Sequence, residues 1–166
     1  MTNSKIGTNF STPDLSDEYV DDIRILDSIF NNYGGRKNFY GQVVTIKCFE
    51  DNSLVKDMAS QNGKGKVMVV DGSGSLRKAL LGDMIAKNAL KNEWQGFIIH
   101  GCIRDVDIIS ELNIGVKALN AIPLKTEKKG IGDMNVSVNF AGQIIQPGEF
   151  VYADNNGIVI SGKKLI

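Results

Sequence analysis

The 166-residue sequence is short of several residues that mark whole protein classes. It has two cysteines and one histidine. Cys48 and Cys102 stand far apart, in no CxxC or other metal-type spacing, and both fall inside apolar runs. Buried free thiols in a reducing compartment are therefore expected, not a disulfide. An excess of one charge is also missing, since Lys+Arg 19 balance Asp+Glu 19. Proteins that live on phosphate backbones usually carry a basic surplus, so direct nucleic-acid binding is not expected. No uninterrupted apolar stretch approaches the roughly 20 residues of a membrane span. The opening MTNSKIGTNFSTPDL has no apolar core flanked by a cleavage site. Neither a membrane segment nor a signal peptide is expected, and the expected location is cytoplasmic. Repeats, low-complexity segments and linkers are absent as well, which leaves a single domain over 1–166 as the expected organisation.

What is present is ordinary globular composition, 42% hydrophobic and 23% charged. A chain of this length buries about 70% of its unfolded surface, enough for a core without staples. Residues 1–11 are polar and are expected to fray. Thr12-Pro13-Asp14-Leu15-Ser16-Asp17 reads as a helix start, and the three- and four-residue spacing of Ile23, Leu26 and Phe30 predicts that this helix runs on to the breaker Asn31-Asn32-Tyr33-Gly34-Gly35. Alternating strands and short helices follow. Strands are predicted at 42–49, 66–71, 96–101 and 116–123, and helices at 54–61, 83–94 and 106–112. Past Lys128-Lys129-Gly130 the texture changes to apolar/polar alternation with tight turns, which predicts antiparallel hairpins at 136–146 and 150–161. The fold class is α/β with a β-rich C-terminal third.

Three short constellations can carry chemistry. Val69-Val70-Asp71-Gly72-Ser73-Gly74-Ser75 ends a strand in GxG, but Arg77 stands where a dinucleotide-binding turn needs its third glycine. A turn that lets a loop fold over a pocket fits better. Gly82-Asp83 opens a helix, where unpaired N–H groups and the positive dipole end favour a carboxylate. The plainer alternative is Asp83 as an N-cap. Arg104-Asp105 follows an apolar strand, at the strand end where α/β sheets hold ligands. Its arginine can grip a carboxylate bidentately. Its aspartate is a hard oxygen ligand suited to Mg²⁺ or Mn²⁺, and the alternative there is a solvated Arg–Asp pair. In an αβ unit the helix start and the following strand end share one sheet edge. Asp83, Arg104 and Asp105 are thus predicted to share a pocket fit for a small keto acid and a divalent cation.

The residues that carry these features resemble the RraA-like family, which also contains the metal-dependent 4-hydroxy-4-methyl-2-oxoglutarate aldolases and oxaloacetate decarboxylases. The resemblance runs from about Thr12 to Ile160. It includes Asn32-Tyr33-Gly34-Gly35-Arg36, Thr45-Ile46-Lys47-Cys48-Phe49-Glu50-Asp51-Asn52, Gly101-Cys102-Ile103-Arg104-Asp105-Val106-Asp107 and Tyr152-Ala153-Asp154-Asn155-Asn156-Gly157. Active members carry an acidic residue, twenty intervening residues, then Arg-Asp, a pattern that Asp83 and Arg104-Asp105 match.

The resemblance implies a compact swivelling β/β/α domain with a mixed, partly parallel sheet, assembled as a homotrimer or a dimer of trimers with active sites between subunits. It implies Asp105 as the ligand of a divalent metal cation (Mg or Mn) and Arg104 and Asp83 as catalytic residues, Asp83 touching the metal through water. It also implies Gly82, Asp83, Met84, Ile85 and Arg104 as the residues that bind a small keto-acid substrate. The general base is not identifiable in this chain and is expected from a neighbouring subunit. The implied activity is a pyruvate-releasing lyase. Loss of CO₂ from oxaloacetate and retro-aldol cleavage of 4-hydroxy-4-methyl-2-oxoglutarate both leave the pyruvate enolate, whose charge a Lewis acid stabilises. Regulatory members imply another role, a non-catalytic protein that binds and inhibits an RNA-degrading endonuclease of the ribonuclease E type.

Other features have plainer readings. His100 is expected in the core or behind the site, Trp94 in the core, and Lys125–Lys129 in a solvated loop, with a subunit or partner contact as the alternative. Tyr152-Ala153-Asp154 is a candidate lining of the subunit interface, with Asp154 as a turn former the alternative.

Overall fold

The computed structural model describes residues 9–166. Most of the expected frayed tail, 1–8, lies outside the described residues, but residues 10 and 11 have defined work. Phe10 meets Tyr40 and Tyr152 edge-on, with ring centroids 5.6 and 5.7 Å apart. The Ser11 hydroxyl accepts the Asp14 N–H at 3.1 Å, capping helix α1 (Thr12–Glu18). The expectation that this helix continues through Ile23, Leu26 and Phe30 is wrong. Ile23–Ile25 is instead a strand, β1, antiparallel to the last strand, β11 (Gly157–Ser161). The three apolar residues do not form one stripe: Ile23 packs beside Tyr152, whereas Leu26 and Phe30 join the core on the opposite sheet face. Pairing with β11 outweighs the local helical spacing.

The rest follows the predicted alternation with shifted boundaries. After the short β2 (Asn31–Asn32) come β3 (Phe39–Lys47), α2 (Ser53–Ala59), β4 (Lys66–Asp71), α3 (Asp83–Lys91), β5 (Gly96–Ile103), α4 (Val106–Ile109) and β6 (Gly115–Ala121). Next are β7 (Asp133–Met134), the hairpin β8 (Val138–Phe140) and β9 (Gln143–Ile145), and β10 (Phe150–Asp154). The main sheet has the order β1-β11-β10-β3-β4-β5-β6-β2, with β7 added to the end of β3. β3 to β6 run parallel, and the remaining pairings are antiparallel. The mixed, partly parallel sheet agrees with the expected class.

Strand alternation sorts the core into two layers. Met68, Val70, Phe97 and Ile99 face the helices. Val67, Val69 and Ile98 face the β8–β9 hairpin together with Val138, Phe140 and Ile145. A hairpin, a sheet and a helix layer thus stack as β/β/α. Phe39 lies across β5 and β6 where glycines leave room, since a Cβ on Gly115 would sit 2.1 Å from its ring. Trp94 is buried as expected, and its indole N–H donates to the Gln61 carbonyl at 2.9 Å.

Tyr152-Ala153-Asp154 does not line an outer surface. All three are buried within the chain. The Tyr152 hydroxyl accepts the Leu165 N–H at 2.8 Å. The Asp154 carboxylate accepts the Thr12 N–H and hydroxyl, both at 2.7 Å, and closes its own turn through the Asn156 N–H at 2.8 Å. Asp154 is a turn former that also fixes α1 to the sheet. Among the described residues no helix is long and apolar enough to cross a membrane.

Candidate active site at the carboxyl edge of the parallel strands

Two backbone hydrogen bonds bring the predicted constellations together. The Leu80 N–H donates to the Cys102 carbonyl at 2.8 Å, and the Arg104 N–H donates to the Leu81 carbonyl at 2.9 Å. The segment leading into α3 is thereby laid along the end of β5. The helix start and the Arg104-Asp105 pair share one edge, as the αβ topology predicts. Asp105 takes a left-handed backbone conformation, φ 58°, which aspartate tolerates better than most residues. This turns its carboxylate back toward α3, where Oδ2 accepts the Asp83 N–H at 3.0 Å.

Gly82, rather than Asp83, is the N-cap of α3, and Asp83 is the first helical residue. The absence of a side chain at Gly82 is what lets the carboxylate in. A Cβ there would lie 2.8 Å from Asp105 Oδ2 and 3.6 Å from Arg104 Nε. The Arg104 guanidinium donates to the Pro123 carbonyl at 3.3 Å and stands 4.0 Å from Asp105 Oδ2. With its other N–H groups left over, it remains able to grip an anion.

These groups line a cleft of about 170 Å³. All six residues expected at the site, Gly82, Asp83, Met84, Ile85, Arg104 and Asp105, are in its wall. The Met84 side chain is 80% exposed, so the backbone is what this residue offers. Asn52, Lys56, Lys125 and Lys128 line the same cleft, and spacing along the sequence does not reveal them. The expectation for Lys125–Lys129 is a solvated loop. Both lysine side chains are indeed exposed, but they stand over the cleft. The only sequence signal was a cluster of cations shortly after a strand end, and nothing local says what such a cluster faces.

Burial pushes the Asp83 carboxyl up, but Asp105 and the Lys87 ammonium, 3.5 Å away, hold it below the usual carboxylate range. Among the described residues no three His, Cys, Asp or Glu side chains cluster. Two hard carboxylates at the rim of a cleft fit a cation that keeps most of its shell as water, as Mg²⁺ does, and do not fit an all-protein cage. Asp105 and Asp83 are therefore the residues that would hold such an ion.

The other candidates lie elsewhere. His100 stacks on Phe140 at 4.9 Å with the rings 8° apart, behind the sheet and outside the cleft wall. Its Nδ1 is 3.7 Å from Asp71 Oδ1. The glycine-rich turn folds over His100 rather than over the cleft, with the Gly72 and Gly74 N–H groups both donating to the His100 carbonyl at 3.1 Å. Arg77 is turned outward onto Glu50, 2.8 Å away. Cys48 and Cys102 are buried free thiols, as expected.

The fold is that of a β/β/α protein with a cleft at the carboxyl edge of its parallel strands, lined by Arg104, two aspartates and three lysines. The family model described as "RraA-like: Aldolase/RraA" matches residues 12–160. The chain belongs to the RraA-like family. A protein of Pseudomonas fluorescens (strain SBW25) is 59% identical over 157 residues, covering 95% of this chain and 96% of the relative, and is named "Putative 4-hydroxy-4-methyl-2-oxoglutarate aldolase". A protein of the same name from Pseudomonas aeruginosa (strain LESB58) is 58% identical, covering 95% and 97%. Among solved structures, the RNA-processing inhibitor RraA from Thermus thermophilis superposes with a TM-score of 0.92 at 39% identity, covering 95% of this chain and 96% of that one. A Geobacillus kaustophilus HTA426 protein described as S-adenosylmethionine: 2-dimethylmenaquinone methyltransferase gives 0.92 at 42%, covering 94% and 97%. The shared fold carries several named activities, so function has to be argued from the cleft.

Proposed function

We propose that the chain is a divalent-metal-dependent, pyruvate-releasing lyase: a 4-hydroxy-4-methyl-2-oxoglutarate aldolase with oxaloacetate decarboxylase activity. The observation that carries the reading is the convergence of Asp105 Oδ2 on the Asp83 N–H at 3.0 Å, beside Arg104, in a cleft that three lysines also line. The names of relatives nearly 60% identical along almost the whole chain point the same way.

In this reading the Arg104 guanidinium binds the carboxylate or keto oxygen of the pyruvyl half, and the Gly82–Ile85 backbone at the helix start offers to the same group the N–H donors that Asp105 does not take. Lys56, Lys125 and Lys128 face the far carboxylate. Asp105, with Asp83 acting through water, would hold Mg²⁺ or Mn²⁺, which when bound would supply Lewis-acid stabilisation of charge developing on oxygen. Decarboxylation needs no base to start, whereas the retro-aldol step must remove a hydroxyl proton. That base comes from a neighbouring subunit of a homotrimer or a dimer of trimers. Exposed Phe49, Leu76, Met84, Leu124 and Ile131 around this edge support such a neighbour.

The test is pyruvate release from both keto acids with Mg²⁺ or Mn²⁺, with EDTA and the Asp105→Ala variant as blanks. Metal-dependent release lost in that variant is the expected result. Release that is unchanged in Asp105→Ala refutes the site. A second reading rests on the 39% identity to the RNA-processing inhibitor: binding of an RNA-degrading endonuclease by the outer surface. Such binding would survive Asp105→Ala. A lack of capture of the purified endonuclease at low salt counts against it.

A further inference from the structure

The segment that presents Lys125 and Lys128 is not held by apolar packing. Between β6 and β7, every residue from 123 to 132 is exposed except Thr126, which is 3% exposed. Loops of this kind hold a position only through specific anchors. Lys125 is bridged to Ala79, whose N–H donates to the Leu124 carbonyl at 2.8 Å, and further anchors for the rest of the segment come from two consecutive residues after β3. Asp51, 4% exposed, has both carboxylate oxygens occupied. Oδ1 accepts the Ser53 N–H at 3.0 Å and the Ser53 hydroxyl at 2.6 Å. Oδ2 accepts the Lys129 and Ile131 N–H groups at 2.9 and 3.1 Å.

Asn52 adds a second set of bonds. Its N–H donates to Thr126 Oγ1 at 3.3 Å, and its Oδ1 accepts the Thr126 hydroxyl at 2.7 Å. Its Nδ2 donates to the Leu80 carbonyl at 3.2 Å, in the segment that leads into α3. The clip therefore ties the lysine loop to the β3–α2 turn and to the wall that carries Gly82. Neither Asp51 nor Thr126 lines the cleft. The pyruvyl side is built separately, by the Leu80–Cys102 and Leu81–Arg104 backbone pairs.

We propose that Asp51 and Thr126 are positioning residues that set affinity for the far carboxylate of the substrate, by holding Lys125 and Lys128 over the cleft. This rests on the keto-acid reading of the cleft. Loosening the clip affects keto acids that carry a second carboxylate and spares pyruvate, which has none.

Two variants test it. In Asp51→Asn the amide nitrogen replaces one acceptor, so either the Lys129 and Ile131 N–H groups or the Ser53 donors lose their partner. Thr126→Val removes only the hydroxyl. KM and kcat are measured for 4-hydroxy-4-methyl-2-oxoglutarate with Mg²⁺, alongside deuterium exchange at the methyl group of pyruvate by NMR. Amide exchange across 125–132 is followed by mass spectrometry. In both variants KM should rise about fivefold, the effect of losing one hydrogen bond of typical net strength, with kcat and pyruvate exchange unchanged and amide exchange in the segment faster. An unchanged KM in active protein overturns the inference alone. So does a parallel loss of pyruvate exchange, which would make the clip a support of the whole site. If Asp51→Asn does not fold, Thr126→Val decides. Wild-type protein with neither activity overturns both this inference and the reading beneath it.

Discussion

Replacing Gly82 by alanine should separate the cleft's chemistry from the protein's stability. The glycine backbone is extended, φ −130° and ψ −175°, so alanine meets no conformational penalty there. At an N-cap, alanine is only modestly worse than glycine, and the fold should lose less than about 1 kcal/mol. For a chain of this size that lowers Tm by about 2–4 °C. The new Cβ, however, would stand 2.8 Å from Asp105 Oδ2. The carboxylate is the free end of a side chain and can swing away without disturbing the core. In doing so it gives up the 3.0 Å bond from the Asp83 N–H. A hydrogen bond to a charged group contributes about 1.5–3 kcal/mol. At 1.4 kcal/mol per factor of ten, kcat/KM for oxaloacetate should fall about 10- to 100-fold. Pyruvate release coupled to lactate dehydrogenase reads the rate, and circular dichroism reads the melting. A variant with wild-type kcat/KM would refute the claim that Asp105 must dock on the helix start. A collapse in Tm would refute the claim that only the carboxylate moves.

Two further outcomes follow from buried ionisable groups. Burial alone would raise the carboxyls of Asp51, Asp71, Asp154 and Glu149, but hydrogen bonds to each outweigh it and hold all four low, Asp51 at about 2. Carboxyls depressed by folding add stability that is present above their unfolded values near 4 and is lost as pH falls toward 2. The urea midpoint should therefore be flat above pH 5 and drop below pH 4, and a midpoint that rises on acidification would contradict the hydrogen bonding described. The Cys48 thiol is pushed up to about 12, chiefly by burial and then by Asp51 and Asp71, and burial raises Cys102 as well. Native protein should resist iodoacetamide at pH 7.5 and take up two alkyl groups in denaturant, as counted by mass spectrometry. Rapid labelling of native protein would show that these sites open readily.

Much of the α/β core and the three chemical groups could be read locally. The run Lys66–Asp71 is a strand because six mostly apolar residues sit between glycines, and the structure returns the same limits. Asp83 and Arg104-Asp105 were recognisable because a helix start and a strand end have fixed polarity, and an αβ unit puts them on one edge whatever else the fold does. Spacing along the chain could not decide what depends on partners distant in sequence. Ile23, Leu26 and Phe30 keep helical spacing, yet β11 recruits the first of them into a strand. Tyr152 and Asp154 look like surface residues until α1 and Leu165 close over them. Lys125 and Lys128 line the cleft because Ala79, and Asp51 and Asn52 more than seventy residues earlier in the chain, bind their loop. Local periodicity is set by neighbours a few residues apart, and the sequence carries it directly. Which exposed loop closes which pocket is decided by hydrogen bonds that exist only after the sheet has ordered its strands.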